Sequence, residues 1–244
     1  ASGITARLVG LATAGTLAGL AWSLGDLQLD PELSSLTQVN SDRLRELGLA
    51  MSLIAAAATL FIIRPSWWAV IGAIVLRPLC GDSRFGVLMT RIAVFIQELA
   101  ESVSAVRDRG VRPLSMAALW ALCGHASVVA GIWVAAASLG AQPSLQGLVF
   151  TYGTATSLAM ALFAFPGSQL GWDLLFGGLL MLTAGLGNPT LIDEPDAYLA
   201  TVEGTAAAIV LLVRLQQLCF MLLGAAVVAW LIERELSGEP PVSS

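Results

Sequence analysis

The sequence predicts an all-α, polytopic membrane protein with about six transmembrane spans and an amphipathic helix at the membrane surface. Three observations predict it. Apolar residues make up 57% of the chain and charged residues only 12%, at a mean hydropathy of +0.80, whereas a soluble domain carries about 25% charged residues. The apolar residues fall in blocks close to the roughly 20 residues a helix needs to cross a bilayer. The segments between the blocks sort by the sign of their charge. All 244 residues read as a single transmembrane domain.

The first block, residues 4–25, holds one arginine and is otherwise apolar or small. It is longer than the about 7–15 residues of a signal-peptide core, so it reads as a retained helix. Gly15 and Gly19 form a GxxxG within it, a spacing that suits close helix packing. The further spans are 47–63, 114–139, 145–165, 170–187 and 206–231. A break interrupts the pattern at Pro166-Gly167 and extends through Gly171, in the stretch FAFPGSQLGWDLLF (163–176).

Charge sets the orientation. All twelve basic residues are arginine, and seven of them lie within 64–112: Arg64, Arg77, Arg84, Arg91, Arg107, Arg109 and Arg112. Residues 26–46 carry Asp26, Asp30, Glu32, Asp42 and Glu46 against Arg43 and Arg45, and 188–205 carry four acids and no base. Arginine-rich loops stay in the cytoplasm. Six spans then place both termini inside and both acidic loops outside.

The 64–112 segment is more than a loop. Between Pro65 and Arg77 run eleven uncharged residues led by Trp67 and Trp68, too few to span as a helix. They are interfacial, re-entrant, or an extension of the 47–63 helix. Over 84–109, Phe85, Leu88, Ile92, Phe95, Leu99, Val103 and Val106 recur at helical steps, opposite Arg84, Arg91, Glu98, Ser102 and Arg109. That is a cytoplasmic amphipathic helix lying on the membrane or on its own bundle. The sharper alternative is a docking helix for a partner protein.

Ionisable residues inside spans are expensive and therefore candidates for function. His125 lies near the middle of 114–139. It is either a packing histidine or the ligand of a pigment or haem; it is the only histidine in the chain, so a metal site lacks a second one. Arg214 lies nine residues past Thr205, about 13 Å down its helix, with Gln217 one turn on. Asp173 is its natural counter-charge among span residues. The two meet at depth only if the 163–176 break lies inside the membrane, which is allowed where it is buried in protein or lines a cavity. The alternative is an ordinary cytoplasmic turn. The three cysteines, Cys80, Cys123 and Cys219, are far apart and read as isolated small hydrophobes. There is no Ser/His/Asp set, phosphate loop or metal cluster, so the sequence points away from an enzyme, a metal cofactor and nucleic acid.

Pro166-Gly167-Ser168-Gln169-Leu170-Gly171-Trp172-Asp173, followed by LLVRLQQLCFMLLGA (211–225), resembles the transmembrane domain of lysylphosphatidylglycerol synthases and their stand-alone relatives. That family carries a Pro-Gly-Gly-Leu-Gly-x-x-Glu break and then a helix containing an arginine. Here Gly-Gly is Gly167-Ser168, the glutamate is Asp173, and the Leu-Gly is shifted by one. ALWALCGHASVVAGIWVAAASLGAQPSLQGLVFTYG (118–153) is similar to the family's paired helices around a Leu-Gly turn. The resemblance covers roughly 84–232. It implies a compact member of a flippase-like family in a prokaryotic cytoplasmic membrane, binding or translocating an anionic phospholipid. Arg214, Asp173, Ser168, Gln169 and Gln217 would meet the headgroup, and membrane lipids would be the partners. The alternative is a non-catalytic accessory subunit of a larger membrane complex, with a pigment or haem at His125.

Overall fold

The computed structural model describes residues 2–24, 29–30, 33–34, 40–76, 78, 80, 84–141, 143–161, 168–186 and 194–236. Among these there is no strand, and the principal helices are α1 (Ser2–Ser23), α2 (Ser41–Ile63), α3 (Pro65–Leu76), α4 (Arg84–Arg107), α5 (Val111–Ser138), α6 (Leu145–Ala161), α7 (Ser168–Thr183) and α8 (Pro195–Leu236). The all-α class is as expected.

Local chemistry sets the helix ends. Asn40 caps α2 by accepting a 3.0 Å hydrogen bond from the Arg43 N–H, ahead of the apolar block that begins at 47. Arg64 stands outside the helical region (φ −133°, ψ 64°) because it precedes Pro65, and Pro65 opens α3 at the position where its missing N–H is harmless. The 64–76 stretch is therefore a separate helix and not an extension of α2. Arg107 closes the junction, donating from Nη1 to the Ile63 carbonyl at 3.3 Å.

Among the described residues, three helices are long and apolar enough to cross a membrane: α2, α5 and residues 196–230 of α8. The sequence expectation was six. The helices α6 and α7 are shorter, at 17 and 16 residues. Pro166 and Gly167 of the expected break lie outside the described residues, while Ser168 through Gly171 are helical and belong to α7.

The largest apolar cluster among the described residues joins α5, α6, α7 and α8. It is built from Val129, Ile132 and Ala136, from Leu148, Tyr152 and Ala155, from Trp172, Phe176 and Leu180, and from Tyr198, Val202, Ala206, Ile209 and Val213. The α8 residues recur every three to four positions, so one stripe of that helix is buried. The burial ends at Val213; from Leu218 to Trp230 every residue is exposed. Helix α1 packs on α2 and α6 through small residues. A Cβ on Gly19 would lie 2.4 Å from the Ser52 hydroxyl, so the GxxxG does mark a close approach.

One end of the bundle is tied by polar contacts. Gln146 Nε2 donates to the Ala21 carbonyl at 2.8 Å, and the Ser144 N–H donates to the Ala184 carbonyl at 2.8 Å. Asp30 is buried there, contrary to its reading as one of the exposed charges of an acidic loop. Its carboxylate accepts from the Leu33 N–H at 3.2 Å and from the Tyr198 hydroxyl, and its own N–H donates to the Leu182 carbonyl at 3.0 Å. These hydrogen bonds make the burial of its polar oxygens tolerable.

The expected apolar face of α4 is only half used. Leu99 and Val103 are buried with Ala100 against Phe61, Leu8 and Trp68, whereas Phe85 and Phe95 are exposed. Only the C-terminal half of α4 reaches the end of α2.

Candidate functional site

The candidate site is a charged cluster where α7 crosses α8. Trp172 is buried and stacked on Phe176, with ring centroids 4.5 Å apart and planes 17° from parallel. Its Nε1–H donates to Thr156 Oγ1 of α6 at 3.4 Å. The Arg214 guanidinium lies over the Trp172 ring, 4.9 Å from its centroid, a cation–π geometry. Arg214 Nε donates to Asp173 Oδ1 at 2.7 Å, and Nη1 donates to Gln217 Oε1 at 2.7 Å. The distances are short, as befits charge-assisted bonds.

Sequence reasoning paired Asp173 with Arg214, and the structure brings them together with Gln217. It missed Trp172, which forms the floor under the guanidinium. An aromatic residue adjacent to an acid within an apolar run was the available signal. Ser168 and Gln169 lie in the first turn of α7, within about two turns of Asp173; their side chains are outside the described residues.

The pair is neither buried nor in open water. The Arg214 and Asp173 side chains are 28% and 29% exposed. Around them stand exposed leucines: Leu170 and Leu174 on α7, and Leu211, Leu215 and Leu218 on α8. Beside them on α7, the space next to Gly171 is open. The uncharged run of α8 extends from Thr205 to Ile232 apart from Arg214, about 40 Å of helix. A hydrocarbon layer of about 30 Å placed anywhere along that run contains Arg214. The cluster is thus a polar island in an apolar surface.

His125 is elsewhere. It is buried, with Nδ1 3.2 Å from the Tyr152 hydroxyl and Nε2 3.3 Å from the Gly10 carbonyl. A carbonyl only accepts, so Nε2 carries the proton and Nδ1 accepts from Tyr152. Both nitrogens of a neutral ring are engaged, tying α5 to α1 and α6, and this geometry favours the packing role over a pigment or haem ligand. We expect His125→Leu to leave the visible absorption spectrum of the purified protein unchanged. It should lower stability in detergent by about 1–2 kcal/mol, as for other interhelical bonds in membrane proteins. A visible band lost in the variant would restore the ligand reading.

Among the described residues no group of three or more His, Cys, Asp or Glu is placed to hold a metal, and Cys80, Cys123 and Cys219 are unbridged. A groove between α1 and α2 is lined by Thr16, Gly19, Ser52, Ala55 and Thr59. The Thr16, Ser52 and Thr59 hydroxyls donate to carbonyls of their own helices, so the groove offers mainly apolar contact.

The cluster and the apolar helices together define a membrane-type helical protein with a charged island at an interhelical crossing. No protein-family model, curated protein or solved structure matches the chain.

Proposed function

We propose that the chain is a multi-pass protein of a prokaryotic cytoplasmic membrane that binds or translocates an anionic phospholipid at the Arg214–Asp173 cluster, without covalent chemistry. The observation that carries this reading is the setting of the ion pair: two part-exposed charges on an apolar surface, ringed by exposed leucines. Such charges are costly in hydrocarbon and are retained where they meet a polar ligand or pathway. A phospholipid supplies both halves of the match, its phosphate for Arg214 and its acyl chains for the leucines. The guanidinium fork suits a phosphate. Gln217 and the Trp172 ring hold it in place while Asp173 yields to the headgroup.

In this reading α1, α2, α5, α6, α7 and α8 are all membrane-embedded, with both termini and the arginine-rich 64–112 segment in the cytoplasm. The facing ends of α6 and α7 lie at membrane depth, because Ser168 is only about 8 Å along α7 from Asp173. The test is transbilayer movement of labelled phosphatidylglycerol in vesicles containing the protein. Arg214→Ala should slow it by at least about tenfold, as loss of a desolvated charge contact implies. Equal rates, or no movement with either protein, would overturn the proposal.

A second reading has its own observation. From Leu218 to Trp230, α8 is exposed on every face, and Trp120 and Trp133 of α5 are exposed as well. These surfaces suit a non-catalytic accessory subunit packed against partner proteins of a larger membrane complex. Co-purification of a second protein at fixed stoichiometry would favour it.

A further inference from the structure

We infer that the α3–α4 hairpin is a monotopic anchor that lies flat in one leaflet beside the spanning bundle, with Arg64 and Arg91 bound to anionic lipid phosphates. The first observation is a stripe. Trp67, Val70, Ile71, Ile74 and Val75 of α3 occupy positions i, i+3, i+4, i+7 and i+8, and each is between 47% and 68% exposed. The stripe contains no polar residue. The opposite side of α3 is used internally: Trp68 packs at 5.5 Å on Phe61, and a Cβ on Gly72 would touch Ile96 at 3.4 Å. Among the described residues, the outward face of α3 is therefore apolar surface that takes no part in the core.

Length and charge then fix what covers it. Twelve residues give a helix of about 18 Å, short of the about 30 Å hydrocarbon layer, so α3 does not cross. Arginines flank it at both ends in the sequence, Arg64 before it and Arg77 after it, with Arg84 opening α4. Standing upright, the hairpin would drive one charged end toward the bilayer centre. Lying flat, it keeps both ends at headgroup level and its stripe about 5–10 Å deep, as interfacial helices do.

Its roots agree. Helix α3 continues directly from the end of α2, and α4 leads into α5 through Arg107, Arg109 and Arg112; α2 and α5 are both apolar enough to span. The hairpin therefore emerges where two spans end. Segment 64–112 carries seven arginines against Asp82, Glu98, Glu101 and Asp108, so its net charge is 7 − 4, or three positive charges in excess. Arg64 is already placed 5.9 Å from the ring centroid of Trp67, an interfacial aromatic beside a cation. Glu98 and Glu101 are exposed on the C-terminal half of α4, where the hairpin meets water. An anionic leaflet matches the apolar stripe, the positive excess and the position together.

The test uses full-length protein in nanodiscs of phosphatidylcholine with phosphatidylglycerol, with Cys80, Cys123 and Cys219 replaced by alanine. A spin label is attached at Ile74→Cys or at Glu101→Cys. The label at 74 should be relaxed by oxygen and shielded from a water-soluble nickel chelate, and the label at 101 should show the reverse. A label at 74 open to the chelate overturns the proposal. So does one shielded from both reagents, which would mean protein packing, including a second copy of this chain. Separately, Arg64→Gln and Arg91→Gln should each lower retention of phosphatidylglycerol over phosphatidylcholine by about fivefold, in native mass spectra of protein that still elutes as one species. Unchanged retention would overturn the arginine assignment. Arg214 is left intact throughout, so failure here is separable from failure of the lipid site on α7 and α8.

Discussion

Arg214→Ala is expected to destabilise the protein by about 2–3 kcal/mol, more than Asp173→Ala, and the double variant is expected to lose less than the two single losses combined. The reason is what each change leaves behind. Removing the arginine strands a carboxylate on a short side chain of α7, on an apolar surface; in hydrocarbon an uncompensated charge costs roughly 2.5–3.5 kcal/mol. Removing the aspartate strands a guanidinium that keeps Gln217 at 2.7 Å and the Trp172 face at 4.9 Å, on a stem long enough to move its charge outward. The part exposure of both groups lowers these values from the 3–5 kcal/mol of a fully buried pair. Reversible unfolding in mixed micelles of the four proteins gives the coupling energy, expected at about 1–2 kcal/mol. Additive losses would show that the two side chains are neighbours without being energetically paired. Equal single losses would show that the Gln217 and Trp172 contacts do not hold the stranded cation.

This pairing was legible in the sequence because ionisable residues are scarce in the apolar blocks. Arg214 needed a partner, and Asp173, 41 positions away, was the one span acid on offer. Helix ends were less legible, and for a consistent reason. Hydropathy locates the stretch that suits hydrocarbon, whereas a helix ends where its caps and backbone geometry end it. The block read as 206–231 is part of a helix beginning at Pro195, where Asp196 and Glu203 conceal a stripe carried by Tyr198 and Val202. The block read from 47 begins at Ser41 because Asn40 caps it. Asp30 was illegible. Its burial depends on Tyr198, 168 positions away, and nothing local to an acid in a polar segment distinguishes a buried cap from a solvated charge. The amphipathic face of α4 was read correctly as a pattern, yet a pattern states which residues prefer burial and not how far the neighbouring helix extends.

Gly147→Ala should be among the most damaging single changes in the bundle, although alanine is the better helix former by about 1 kcal/mol. A Cβ at position 147 would lie 1.9 Å from the Thr183 carbonyl oxygen, 2.7 Å from its carbon and 3.2 Å from the Ala184 Cα. Those are backbone atoms, so no side-chain rotation relieves the overlap; α6 and α7 must separate. Their separation strains the Thr151–Thr183 hydroxyl contact at 2.8 Å and the Ser144 N–H bond to Ala184 at 2.8 Å. The expected loss is about 2–3 kcal/mol, at the upper end for overpacking. Gly178→Ala on α7 is the control, since nothing lies within 4 Å of its Cβ position; it should be neutral or gain up to about 1 kcal/mol. Thr183 stands ten residues from Asp173, about 15 Å along the same helix. A shift of α7 at Gly147 therefore also moves the carboxylate relative to Arg214. Gly147→Ala should then reduce the coupling energy between Arg214 and Asp173 as well as the total stability. A loss of stability with the coupling intact would mean that α7 bends between the two contacts and does not move as one body.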